Sequence, residues 1–222
     1  MCNKLSEMNI EKIKHILSQL KSEQLPGLVA HRKLAPVGRI RLNYESEPAN
    51  AVKSSVLILL NPDKQGELCF SVIRRTADNS AHSRQISLPG GRFEPEDDSF
   101  ATTAIRETSE EIGVPMHEIE ILAALSPLYI PVSNYTIYPF VGYMPSVPNY
   151  VPAIREVAEI LEIGFQEMLD IKIQEKTIQV GEKTFEAPFM FFKNVELWGA
   201  TAMILQEFSE VFTLVNSLKS TE

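Results

Sequence analysis

Few chain geometries satisfy the run Gln85-Ile86-Ser87-Leu88-Pro89-Gly90-Gly91 and the acidic segment and helix that follow it, to Val114. Ile86 and Leu88 alternate with polar neighbours, the pattern of a half-buried strand. Pro89-Gly90-Gly91 should break that strand in a tight turn, because glycine reaches backbone angles that a β-carbon forbids. Asp98 and Ser99 are both good N-cap residues for the helix to come. That helix is expected to stop at Ile112, since Gly113 suits the left-handed position after a helix and Pro115 cannot continue the ladder. The segment therefore reads as strand, turn, acidic loop and helix.

The spacing predicts two helix faces with different chemistry. Ala101, Ala104, Ile105, Thr108 and Ile112 recur at intervals of three and four and form a mostly apolar stripe. Glu107, Glu110 and Glu111 share a second face by the same intervals. Three carboxylates on one patch repel one another, and Arg106, four residues before Glu110, cannot neutralise all three. Acidic residues on a helix commonly mean only a solvated face. A divalent cation among them is the alternative, and oxygen donors of this kind suit Mg²⁺ or Mn²⁺.

Gly90, Gly91, Arg106, Glu107, Glu110, Glu111 and Gly113 together resemble the Nudix box, a glycine, a spacer and then Arg-Glu-x-x-Glu-Glu-x-Gly. The usual spacer sets an acidic residue seven positions before the arginine, which Asp98 meets, and a glycine at 92, where this chain has Arg92. Thr108 stands where an aliphatic residue is common. A loop one residue longer, running from Pro89-Gly90-Gly91 through Asp97 and Asp98 to Ala104-Ile105-Arg106-Glu107-Thr108, is similar to the coenzyme A diphosphatase branch of that family. The likeness extends roughly from Arg32 to Phe212.

The remainder of the chain reads as one α/β unit with an appended helix. Leu5, Met8, Ile10, Ile13, Ile16, Leu17 and Leu20 give residues 3–22 a helical period, an amphipathic helix to pack on the domain or on a second subunit of a homodimer. With the linker after it, this gives an N-terminal segment 1–27 and a main domain 28–222. His31-Arg32-Lys33 reads as a basic surface cluster. Strands are expected at 54–60, 67–74, 118–128, 135–144 and 195–198, with a short apolar segment at 157–163. A short helix at 165–169, a hairpin from 176–180 to 184–192 and a long helix from about 201 to 218 complete the pattern. No apolar run is long enough to cross a membrane. The N-terminus lacks a signal-peptide core, and two cysteines, Cys2 and Cys69, fit a reducing cytoplasm without a disulfide. A net charge of −8 argues against nucleic acid as a partner.

The resemblance implies a Nudix-type α/β/α sandwich with a mixed sheet and a loop-helix-loop at its edge. It also implies a metal-dependent hydrolase of diphosphate linkages, with a small nucleoside diphosphate derivative as partner. Glu107, Glu110 and Glu111 would be ligands of Mg²⁺ or Mn²⁺, joined by the carbonyl of Gly91, with Arg106 holding the glutamates in place. Glu111 is the first candidate for general base and Glu156 the second. Asp98 is expected to cap the helix. Of the branch's second motif the chain keeps Arg75 and Pro89-Gly90-Gly91, while Ser80, Arg84 and Leu88 replace an arginine, a glycine and a phenylalanine. Arg75, Arg84, Gly90 and Gly91 are the substrate-binding candidates. Coenzyme A or acyl-coenzyme A, cleaved to 3′,5′-ADP and 4′-phosphopantetheine, is the leading substrate. ADP-ribose, a dinucleotide or a nucleotide sugar is the second reading, and a nucleotide-binding module without turnover the third.

Overall fold

A computed structural model describes residues 8–35, 47–77, 85–180, 183–192 and 195–218. The helix expected over 3–22 is observed as α1 (Ile10–Gln19), with positions 1–7 lying outside the described residues; Asn9 meets one of its free N–H groups, Oδ1 accepting from the Lys12 amide at 3.0 Å. A single 3₁₀ turn leads to α2 (Gly27–Arg32). Two long strands follow, β1 (Val52–Pro62), which runs past its expected span of 54–60 at both ends, and β2 (Leu68–Arg75), shifted by one residue from the expected 67–74. Next come β3 (Ile86–Ser87), β4 (Gly90–Arg92) and α3 (Phe100–Ile112). The expected strand over 118–128 is divided into β5 (Glu120–Ala124) and β6 (Leu128–Ile130). Pro127 lies in the break, where it has no N–H to give a ladder. Then follow β7 (Tyr135–Tyr143), β8 (Val157–Gly164) and α4 (Phe165–Leu169). The chain continues through β9 (Ile173–Val180), β10 (Lys183–Phe192), β11 (Val195–Leu197) and α5 (Gly199–Leu218).

The main sheet is mixed. Its path is β3-β2-β1-β7-β5, with β4 on β1, β6 on β7 and β8 on β2. The pairing of β1 with β7 is parallel and every other pairing is antiparallel. A second sheet, β11-β10-β9, is built around the expected hairpin. Even-numbered side chains of the central strands, Ile58, Leu60, Phe70 and Val72, join one buried cluster with Ile13, Ile16 and Leu17 of α1, Phe165 of α4 and Phe208 and Phe212 of α5. Odd-numbered Leu57, Leu59 and Ile73 form a second cluster with Ala104 and Ile112 of α3. Alternation along a strand puts successive side chains on opposite faces, so the sheet is covered on both sides. The result is the expected three-layer sandwich, with the α1 face contributing to the same core as α5.

Two readings of the sequence are corrected by the packing. The Pro89-Gly90-Gly91 turn is instead partly strand: Gly90 and Gly91 pair antiparallel with Val56 and Ser55. The basic cluster at 31–33 is not a surface feature throughout, because the His31 side chain is buried, its Nε2 lying 2.8 Å from Glu207 Oε2 of α5. No described helix is long and apolar enough to cross a membrane. Cys69 is a buried free thiol in β2, pushed up to about 12 by its burial, and Cys2 lies outside the described residues.

Candidate active site

Helix α3 starts where Ser99, not Asp98, caps it: Ser99 Oγ accepts from the Thr102 amide at 3.1 Å, and Asp98 is exposed. Asp97, one residue further back, has a larger role. Its carboxylate accepts from Thr103 Oγ1 at 2.8 Å, from the Glu94 amide at 3.1 Å, and from Arg106 Nε and Nη2 at 2.9 Å each. The last two bonds are a fork-on-fork pair of the strong charge-assisted kind. The guanidinium holds the Asp97 carboxyl well below the usual carboxylate range, and Asp97 in turn raises Arg106 further.

Anchored this way, Arg106 serves two glutamates with its remaining nitrogen. Nη1 stands 3.1 Å from Glu107 Oε1 and 3.2 Å from Glu110 Oε2, while Nη2 also donates to the Arg92 carbonyl at 3.1 Å. The expected link from Arg106 to Glu110 is present, but its foundation in Asp97 was missed. Thr103 and Arg106, three positions apart on one helix side, were the available signal that a residue before the helix is gripped twice.

Glu111 departs from the predicted arrangement. It is 3% exposed and sits at the sheet rather than on an outer acidic face. At about 100° per residue, Glu111 lies only about 20° from Ala104 around the helix, so it belongs to the inward stripe as much as to the acidic one. Its Oε2 accepts from the Gly90 amide at 2.8 Å, and its Oε1 lies 3.6 Å from Arg75 Nη1. Burial pushes its carboxyl up to about 7; the Gly90 N–H and Arg75 oppose that rise, and Glu107 and Glu156 add to it. Burial likewise raises Glu107, with Arg106 opposing and Glu110 and Glu156 reinforcing. Glu156 is exposed and close enough to act on both.

Glycines make these approaches available. A β-carbon on Gly90 would lie 2.2 Å from the Ser55 carbonyl oxygen and 2.7 Å from Val56 Cα, whereas one on Gly91 would meet only the end of the Glu107 carboxylate, 2.3 Å away. The two alanine variants should therefore behave differently. Gly90→Ala must push backbone from backbone and is expected to lower the melting temperature by many degrees. Gly91→Ala should fold with a melting temperature close to wild type but displace Glu107 and reduce turnover by tenfold or more, on the order expected for a misplaced catalytic group. Equal losses of stability in the two variants would refute the distinction.

The helix end completes the site. Gly113 takes the left-handed conformation (φ 76°) and returns its amide to Ser109. The freed carbonyls of Glu111 and Ile112 accept from the amides of Ala153 and Val151 at 3.0 and 2.9 Å, which straps the 145–156 segment to α3. That segment leads directly to Glu156. The Thr76 amide donates to the Glu156 carbonyl at 2.9 Å and its hydroxyl to the Arg155 carbonyl at 3.0 Å, which ties the segment to Arg75 as well.

Arg75, Gly90, Gly91, Arg106, Glu107, Glu110, Glu111 and Glu156 are thus brought together around the N-terminal end of β4 and one side of α3. Arg84, with Ser80, lies outside the described residues. The donors are carboxylate and carbonyl oxygens that repel one another, which suits a hard divalent ion. Among the described residues no three His, Cys, Asp or Glu side chains stand close enough to cage an ion as they are placed. Arg106 draws Glu107 and Glu110 one way, and the Gly90 amide draws Glu111 the other. An ion would compete with Arg106 for the first two.

Protons would compete with such an ion for Glu111. Its carboxyl is raised in the folded chain from an ordinary 4.5 to about 7, so protonation favours the fold. That contribution is fully present below the ordinary value and is lost as pH climbs through about 7. Mg²⁺ should therefore raise the melting temperature more at about pH 8 than at about pH 6. The same increment at both would show that no ion engages Glu111.

Comparison with known proteins places the chain in a family. Residues 51–172 match the NUDIX domain family model. An uncharacterized Nudix hydrolase, NudL, of Photorhabdus laumondii is 29% identical over 138 residues, which span 62% of this chain and 73% of that protein. The NudL of Yersinia pestis is 30% identical over 141 residues, 63% of this chain and 70% of that one. Among solved structures, the Nudix hydrolase RenU of M. smegmatis superposes with a TM-score of 0.50 at 18% identity, over 74% of this chain and 88% of its own, a likeness of fold. The chain belongs to the Nudix family of hydrolases, enzymes that act on phosphoanhydride bonds.

Proposed function

We propose that this chain hydrolyses the diphosphate linkage of a nucleoside diphosphate derivative, with coenzyme A or acyl-coenzyme A as substrate and 3′,5′-ADP and 4′-phosphopantetheine as products. The observation that carries the proposal is the environment of Glu111, a buried carboxylate under the Gly90 amide, beside Arg75 and near two further carboxylates. Burying a charge is costly unless something is gained by it, and carboxylates displaced upward in a cleft mark functional sites more often than structural ones.

In this reading Glu107, Glu110, Glu111 and the Gly91 carbonyl hold Mg²⁺ or Mn²⁺. Such an ion supplies neutralisation of the phosphate oxygens and an activated water at the phosphorus. The chain's own groups do the rest. Asp97 fixes Arg106, and Arg106 fixes the two outer glutamates. Glu111, which takes up a proton near neutral pH, is the first candidate to accept one from the attacking water, with Glu156 as the second. Arg75 lies 3.6 Å from Glu111, too long for a hydrogen bond, so its donors are available to a phosphate. Arg75 is also the residue retained from the motif that the coenzyme A branch carries before the box, and it supports that substrate over others.

Product analysis with Mg²⁺ or Mn²⁺ tests the reading on coenzyme A, ADP-ribose, a dinucleotide and a nucleotide sugar. Release of 3′,5′-ADP at a kcat/KM above those for the others is expected. Much faster cleavage of ADP-ribose would remove coenzyme A as the substrate and keep the reaction. Binding of nucleotides without any cleavage would remove the reaction too.

A further inference from the structure

We propose that Arg155 is a further substrate-binding residue of this site, donating its guanidinium to a phosphate monoester or diphosphate oxygen; the inference rests on the hydrolase reading above. Most of the described arginines are visibly committed. Arg74 pairs with Glu159, Arg92 donates to Tyr135 and Arg106 forks onto Asp97, while Arg75, 3.6 Å from Glu111, keeps its donors for the reacting phosphates. Arg32 is engaged as well. Arg155 is exposed, and among the described residues its guanidinium has no carboxylate or hydroxyl partner, although Glu156 is the next residue. A strong fork of donors left unspent on a turn bonded to the end of α3 can take an anionic ligand without first breaking an ion pair.

The backbone around Arg155 is held firmly at the site. Ala153 and Val151 are bonded to the carbonyls of Glu111 and Ile112, and Ala153 accepts from the amides of both Glu156 and Val157 at 2.8 Å. Thr76 bonds to the Arg155 and Glu156 carbonyls, which sets Arg155 next to the strand end that carries Arg75. The turn so formed also presents Ile154 with 84% of its surface exposed. A tightly bonded turn that offers an isoleucine and an arginine to solvent, one residue from Glu156, has the composition of a contact for the part of a substrate outside the reacting phosphates. Two phosphates could occupy the guanidinium. One is the 5′-phosphate common to every nucleoside diphosphate derivative; the other is a peripheral monoester such as a ribose 3′-phosphate.

Titration calorimetry of the full chain with 3′,5′-ADP and with 5′-AMP, in Mg²⁺, distinguishes them without requiring turnover. For Arg155→Gln, an affinity loss of about tenfold is expected. Loss confined to 3′,5′-ADP assigns Arg155 to the peripheral monoester, and equal loss for both ligands, at an unchanged melting temperature, assigns it to the 5′-phosphate. Arg155→Lys should fall between wild type and Gln, because it keeps the charge and loses the fork. Unchanged affinities for both ligands, or no binding of either to the wild-type chain, would overturn the inference. If the wild-type chain cleaves no diphosphate yet loses 3′,5′-ADP on Arg155→Gln, the hydrolase reading fails and the binding role stands.

Discussion

Glu111→Gln is expected to reduce turnover by about 10²–10⁴-fold, the span associated with removing a general base, and at the same time to make the metal-free protein more stable at about pH 8. The two effects have one cause. A glutamine oxygen still accepts the Gly90 amide, now 2.8 Å from Glu111 Oε2, so the local hydrogen bond survives. What disappears is a charge that burial resists, and the size of that resistance is the rise of the carboxyl from 4.5 to about 7. At about 1.4 kcal/mol per unit, the variant gains at most about 3 kcal/mol above pH 7. The gain should shrink as pH falls through about 7, and vanish below about pH 4.5, where wild type carries the proton in the unfolded chain as well as the folded one. Saturating Mg²⁺ should close the gap from the other side by stabilising only wild type. Kinetics and thermal melts on one pair of proteins check both halves. Lost turnover with lost stability at pH 8 would make Glu111 a structural acid, and retained turnover would remove it from the chemistry.

That trade between stability and activity explains why the sequence showed the site better than its geometry. The Arg-Glu-x-x-Glu-Glu-x-Gly spacing fixes a helix, its end at Gly113 and the rotational order of its acids, all consequences of a local 3.6-residue period. Whether Glu111 faces water or the sheet depends on where β4 runs. That in turn depends on Gly90 and Gly91 pairing with Val56 and Ser55 from a strand some thirty positions earlier. Non-local register of this sort leaves no mark on the helix itself. The role of Asp97 is hidden for the same reason. Asp98 and Ser99 are both good caps by type, and only the position of Arg106 makes Asp97 the residue that is gripped, while Ser99 takes the cap. The strands and the last two helices were legible because alternation and helical period are properties of the segments themselves. The division of 118–128 and the backbone bonds that tie the segment before Glu156 to α3 required the packing.

The second large effect lies away from the site, at Glu207, an acid that the sequence hid inside an apolar helix face. Met203, Ile204 and Val211 flank it at intervals of three and four, so a carboxylate there is forced inward. It has no exposed surface, and its oxygens meet the Gly27 amide at 3.2 Å, the Ser126 amide at 3.1 Å and His31 Nε2 at 2.8 Å. One side chain of α5 thereby satisfies the start of α2 and the break between β5 and β6. Glu207→Ala would leave His31 and two backbone N–H groups buried without partners, and should destabilise the fold by about 3–5 kcal/mol. Glu207→Gln keeps an acceptor for the amides and can donate to one imidazole tautomer, so about 1–2 kcal/mol is expected. Denaturant unfolding of the two variants measures this. Because the Glu207 carboxylate bonds to Gly27, Ser126 and His31 and to none of the carboxylates of α3, KM and kcat of whatever Glu207→Gln protein remains folded should match wild type. A loss from Ala no larger than from Gln would mean that water, not Glu207, can satisfy these groups, and that the clamp between α2 and α5 is not what holds this face together.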